Sequence, residues 1–133
     1  MNFNQFLQNW AKVILAVYWL ILFISTSIPG NWLGWTHIAK DADKFGHGAA
    51  YGILAFLLLL VRHKPGQPRP VYLVLTTLVI GLLYGFFDEW HQQFVPMRTM
   101  DYCDIMADGI GLVIGAAVWL VWNFIFERHT PDG

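Results

Sequence analysis

Residues 71–93 read VYLVLTTLVIGLLYGFFDEWHQQ. From Val71 to Phe87 the stretch is apolar but for two threonines, and it then meets Asp88 and Glu89 without a break. An apolar run of about 20 residues is long enough to cross the hydrocarbon core of a bilayer. Carboxylates at the end of such a run are costly, and they mark a place where the chain needs them. Three further runs of the same kind lie on either side, giving predicted spans at 10–28, 45–61, 71–93 and 102–126. The last contains Asp108, about two helical turns inside its start.

Composition supports this reading. Of 133 residues, 56% are hydrophobic and only 13% charged, against about 25% charged in soluble domains. Too few charged groups remain to solvate a surface, and the same apolar excess excludes a disordered chain. The single cysteine, Cys103, excludes an intrachain disulfide scaffold. A net charge of −1 gives no basic field and argues against nucleic acid as a partner. The expected fold is all-α, a four-helix transmembrane bundle with short loops, forming a single domain over 1–133. The first span lacks a small-residue cleavage site and is read as a helix rather than a signal peptide.

The turns are signalled by Pro29, Gly30, Asn31 and Gly34, by the run Arg62 to Pro70, and by Pro96, with Pro131 beyond the last span. Basic residues orient the bundle. Lys12, Arg62, Lys64, Arg69 and Arg128 fall on one side, and Lys40, Lys44 and Arg98 on the other. This bias predicts cytoplasmic termini, with the first and third loops outside. Trp10, Trp32, Trp35 and Trp122 read as interfacial anchors.

The two outer loops adjoin most of the polar residues. Asp43, Lys44 and His47 open the second span. Asp88, Glu89 and Gln92 close the third, while Arg98, Asp101, Asp104 and Asp108 precede or enter the fourth. Asp101, Asp104 and Asp108 share one helical face that continues through Gly111 and Gly115. Gly81, Gly85, Glu89 and Gln92 form a similar stripe, and Asp43, His47 and Tyr51 align beside Gly48 and Gly52. Small residues four apart allow transmembrane backbones to approach closely. The polar faces therefore coincide with packing faces, and a polar pocket is expected in the outer half of the bundle. Asp88 and Glu89, being adjacent, are not expected both to face inward. Asp101 also reads as a helix cap.

Six acids and two bases, Lys44 and Arg98, gather there. Carboxylates one turn apart on a buried face cannot all ionise without counter-charge. Basic groups, protonation or a bound cation would resolve this, and Arg98 is expected within reach of a carboxylate. A divalent metal could use His47, Glu89, Asp104 and Asp108, a mixed oxygen and nitrogen set suited to Mn²⁺ or Zn²⁺. No tight metal motif such as HExxH is present.

Two motifs carry a resemblance. Asp43-Lys44-x-x-His47 before a small-residue helix resembles the first motif of the VanZ-like family. Glu89-x-x-Gln92, Arg98, Asp104 and Asp108-x-x-Gly111 resemble its second, E-x-x-Q … R … D … N-x-x-G. Asp108 stands where the family often has Asn, and Met97 where a small residue is common. The resemblance implies a multi-pass protein of the bacterial cytoplasmic membrane. Its founding member is associated with low-level teicoplanin resistance.

Three functions follow as expectations. The first is an outward pocket that binds a membrane lipid head group, a lipid-linked envelope precursor or a glycopeptide. The pocket is formed by Asp43, Lys44, His47, Glu89, Gln92, Arg98, Asp101, Asp104 and Asp108, with no obligatory cofactor. The second is a hydrolase or transferase acting on a lipid-linked substrate, with Glu89 or Asp108 as base and His47 as acid. The third is a proton-coupled transporter assembled as a homo-oligomer.

Overall fold

The computed structural model describes residues 3–32, 39–64 and 70–127. Gly34, Trp35, the turn at 65–69, Arg128 and Pro131 lie outside them. Within the described residues the chain forms α1 (Phe3–Ser27), a 3₁₀ turn (Gly30–Trp32), α2 (Ala39–Arg62), α3 (Pro70–Gln92) and α4 (Tyr102–Glu127). Each helix carries a segment long and apolar enough to cross a membrane: Asn9–Ser27, Ala42–Arg62, Val71–Gln92 and Tyr102–Ile125. These segments match the expected spans to within a few residues.

Local chemistry sets the helix ends. α1 stops ahead of Pro29. α3 opens at Pro70, in the first turn, where a missing N–H is no loss. α4 is capped by Asp101, whose Oδ1 accepts the Cys103 N–H at 2.8 Å.

The burial pattern is the reverse of a soluble domain. Val13, Ile14, Val17, Leu20, Ile21 and Ile24 of α1 are exposed, as are Val113, Ile114, Val118 and Val121 of α4. Asp88, Glu89, Gln92, Asp104 and Asp108 are buried. Only a hydrocarbon solvent makes such a surface reasonable. The apolar core lies around Tyr51, Leu54, Leu58 and Leu112, with Leu15 and Leu22 of α1 against it. A second cluster, Leu59, Ala116 and Trp119, lies farther toward the other end.

α2 contacts all three other helices, and its contact with α4 is the most extensive. The reason is glycine. Gly48 and Gly52 of α2 face Gly111 and Gly115 of α4, and a Cβ added to Gly111 would overlap the Gly48 carbonyl. One added to Gly115 would overlap the Gly52 carbonyl in the same way. The two helices run parallel, and each moves four residues along the other between contacts.

Candidate functional site

The glycine seam sets the geometry at the end of the bundle where α2 and α4 begin. The two backbones nearly touch at Gly48 and Gly111, so the residues just before them on each helix face one another. Lys44 stands 3.4 Å from Asp101 and 3.4 Å from Asp104. Nδ1 of His47 lies 3.0 Å from Oδ1 of Asp108. Asp43, His47 and Asp104 each present a ligand-type atom, all within 4.8 Å of one another.

α3 supplies the opposite wall. Glu89 is fully buried; its Oε2 accepts the Asp101 backbone N–H at 3.0 Å, and its Oε1 accepts from Gln92 at 3.0 Å. Gln92 in turn accepts from Nη1 of Arg98 at 3.1 Å through its own Oε1. Arg98 also donates through Nε to the carbonyl of Ile28 and through Nη2 to that of Ser25. These carbonyls belong to the end of α1, which has no further turn of its own to satisfy them. Gln92 thus stands between Arg98 and Glu89, and Arg98 fastens α1 to the α3–α4 connection. That connection is tight: Met97 takes a left-handed conformation at φ 61°, and the Gly30 N–H donates to the Pro96 carbonyl at 3.1 Å. A Cβ on Gly30 would overlap the Met97 carbonyl, so glycine is required there.

All nine expected site residues lie in or beside this cluster, but the structure corrects two details. Asp88 and Glu89 are both buried, at 2% and 0% exposure. Neighbouring helical residues point about 100° apart, and α3 packs against α1, α2 and α4, so its inward arc is wide enough for both. Asp88 turns to the α2 side, where Oδ2 accepts from the Tyr51 hydroxyl at 3.3 Å. The metal-type grouping also differs from the expected set. It contains Asp43 in place of Glu89, because Glu89 is turned toward the start of α4 by the Asp101 N–H. Asp108 lies behind His47 rather than beside Asp43.

Asp88, one of the six acids, is not among the nine expected pocket residues, yet it is buried beside them. Thr77, Gly81, Tyr84 and Asp88 are spaced 4, 3 and 4 apart and share one face, a stripe legible beforehand. Among the described residues, Oδ1 of Asp88, Oδ2 of Asp108 and the Tyr84 hydroxyl are buried without hydrogen-bond partners. Outside the spans, the Cys103 N–H holds the Asp101 carboxyl below the usual carboxylate range, with Lys44 adding to the effect.

An apolar groove of about 980 Å³ runs along the outer side of the α2–α4 seam. Lys44 and Cys103 lie at its polar end; Ala49, Ile53, Ile110 and Val118 line its length.

Four membrane-crossing helices with buried carboxylates gathered at one end define a multi-pass membrane protein with a polar intramembrane cluster. The chain belongs to the VanZ/LLP1 family, whose model matches residues 2–123. No curated protein and no solved structure matches it.

Proposed function

We propose that this protein binds an envelope amphiphile, a lipid or lipid-linked precursor, with its head group at the carboxylate cluster and its chain in the α2–α4 groove. The observation that carries this reading is the continuity of the two. Lys44 lines the groove and also reaches Asp101 and Asp104. A phosphate at the groove mouth would meet Lys44, and sugar hydroxyls or amines would meet Asp43 and Asp104. Ligand sites in bundles are commonly apolar clefts with a few convergent polar groups. A lipophilic glycopeptide offers the same two parts, a hydrogen-bonding head and an acyl chain.

Ala49→Trp is the direct test. Ala49 is exposed in the groove, so a large side chain there fills the groove without entering the helix seam. Native mass spectrometry of the purified chain, with phosphatidylglycerol, a polyprenyl phosphate and teicoplanin offered separately, should show one ligand class retained by the wild type. Ala49→Trp should lose that retention while keeping its thermal stability. Equal retention of all lipids by both proteins would reduce the groove to ordinary lipid-facing surface.

The orientation is part of the same proposal: the cluster faces outward and both termini face the cytoplasm of a bacterial cell. Cys103 is exposed at the groove mouth and is the chain's one thiol. A membrane-impermeant maleimide added to intact cells should label it. Labelling only after permeabilisation would put the cluster on the cytoplasmic side.

A further inference from the structure

The geometry points to a divalent metal site formed by Asp43, His47 and Asp104, with Asp108 as the residue that orients His47, suited to Mn²⁺ or Zn²⁺. Three ligand atoms from two helices lie within 4.8 Å of one another. Two ligands on opposite sides of one ion, each about 2.1 Å from it, would stand about 4.2 Å apart. Small side-chain rotations therefore bring all three to one ion. The imidazole is prepared for this role. Its Nδ1 faces Oδ1 of Asp108 at 3.0 Å, so the ion is assigned to the other ring nitrogen, Nε2. A carboxylate behind a ligating histidine fixes the ring's tautomer and orientation and raises its basicity.

A second observation, made on the carboxylate behind His47, bears on a bound cation. Asp108 is 0% exposed, its Oδ1 is given to His47, and its Oδ2 has no hydrogen-bond partner among the described residues. A buried carboxylate in this state needs either positive charge close by or a proton of its own, and a cation supplies the first. Lys44 is directed to Asp101 and Asp104 instead. An ion on the far nitrogen of His47 polarises the ring and places positive charge against Asp108. Oxygen and imidazole ligands together favour Mn²⁺ or Zn²⁺ over the all-oxygen sites of Ca²⁺. Three protein ligands leave positions open on the ion, as in sites that bind a water or a phosphate oxygen. Metal binding itself does not depend on the amphiphile reading. If an amphiphile binds as proposed, the open positions assign its head group to the phosphate class.

The test uses the full chain in detergent, delipidated and stripped with chelator, then titrated with Mn²⁺ under electron paramagnetic resonance. One Mn²⁺ per chain is expected, displaced by Zn²⁺. His47→Gln and Asp104→Asn should each weaken binding by about 100-fold or more, and Asp108→Asn by about 10–100-fold. Tyr72→Phe, exposed at the opposite end of the bundle, should leave it unchanged. Pulsed spectra of the wild type with ¹⁵N-labelled histidine should show coupling to one imidazole nitrogen. That readout needs no variant to fold. Absence of saturable binding, absence of the nitrogen coupling, or full affinity in a folded His47→Gln would overturn the site. Because no lipid is present, metal binding and amphiphile binding fail independently.

Discussion

Gly115→Ala is expected to separate α4 from α2 and to lower stability by about 3 kcal/mol, at the upper end for overpacking. The added methyl would overlap the Gly52 carbonyl, which is backbone inside a helix and cannot swing aside as a side chain does. Gly111→Ala meets the Gly48 carbonyl and should be equally damaging. Gly46→Ala is the matched control, since a Cβ there has nothing within 4 Å. Alanine is the better helix former by about 1 kcal/mol, so that variant should be unharmed or slightly more stable. Unfolding by sodium dodecyl sulfate, followed by tryptophan fluorescence, checks all three. A seam variant as stable as Gly46→Ala would show that the close approach of α2 and α4 is not what holds the bundle.

Arg98→Met should be the most damaging change among the loop residues, by about 2–4 kcal/mol, because hydrogen bonds from a charged donor are worth roughly 1.5–3 kcal/mol each. Its three donors reach Gln92 and the carbonyls of Ser25 and Ile28, two of them across 70 or more residues of chain. Arg98→Lys should recover little. An ammonium group at the end of a flexible stem cannot serve three acceptors in the fixed directions of a guanidinium fork. The same denaturant titration reads the loss. Proteolysis near Pro29 should become faster as the end of α1 loosens. Wild-type stability in Arg98→Lys would show that charge alone, not the fork, is what the site needs.

The helices were legible in the sequence because two simple quantities define them. Bilayer thickness sets the length of a span, and Pro29, Pro70 and the Asp101 cap set its ends. The cluster was legible because helical spacing put Asp101, Asp104 and Asp108 on the same face as Gly111 and Gly115, so packing faces and polar faces coincided. Helix spacing says less about how wide a buried arc is. Spacing alone allows only one of the adjacent Asp88 and Glu89 to face inward, whereas α3 packs against three neighbours and buries both. Nor does spacing reveal contacts made by irregular loops. Two of the partners of Arg98 are backbone carbonyls, which every residue has, so nothing in the residue names marks Ser25 and Ile28. The choice between Asp43 and Glu89 as companion to His47 depended on one backbone N–H, that of Asp101, and no side-chain pattern encodes it.

The parallel α2–α4 seam also sets an order of assembly. As the chain is made, α2 enters the membrane with the faces of Gly48 and Gly52 uncovered, and they remain in contact with lipid while α3 is being completed. Only α4, the last of the four helices to emerge, carries Gly111 and Gly115 to close against them. It also brings Asp104 and Asp108, the partners of Lys44 and His47. A nascent chain halted before Tyr102 therefore has neither the seam nor a completed cluster, and His47 and Lys44 must wait in the membrane with their counterparts still unmade. In the order of the chain, closure of the seam and pairing of the polar cluster are therefore one late event.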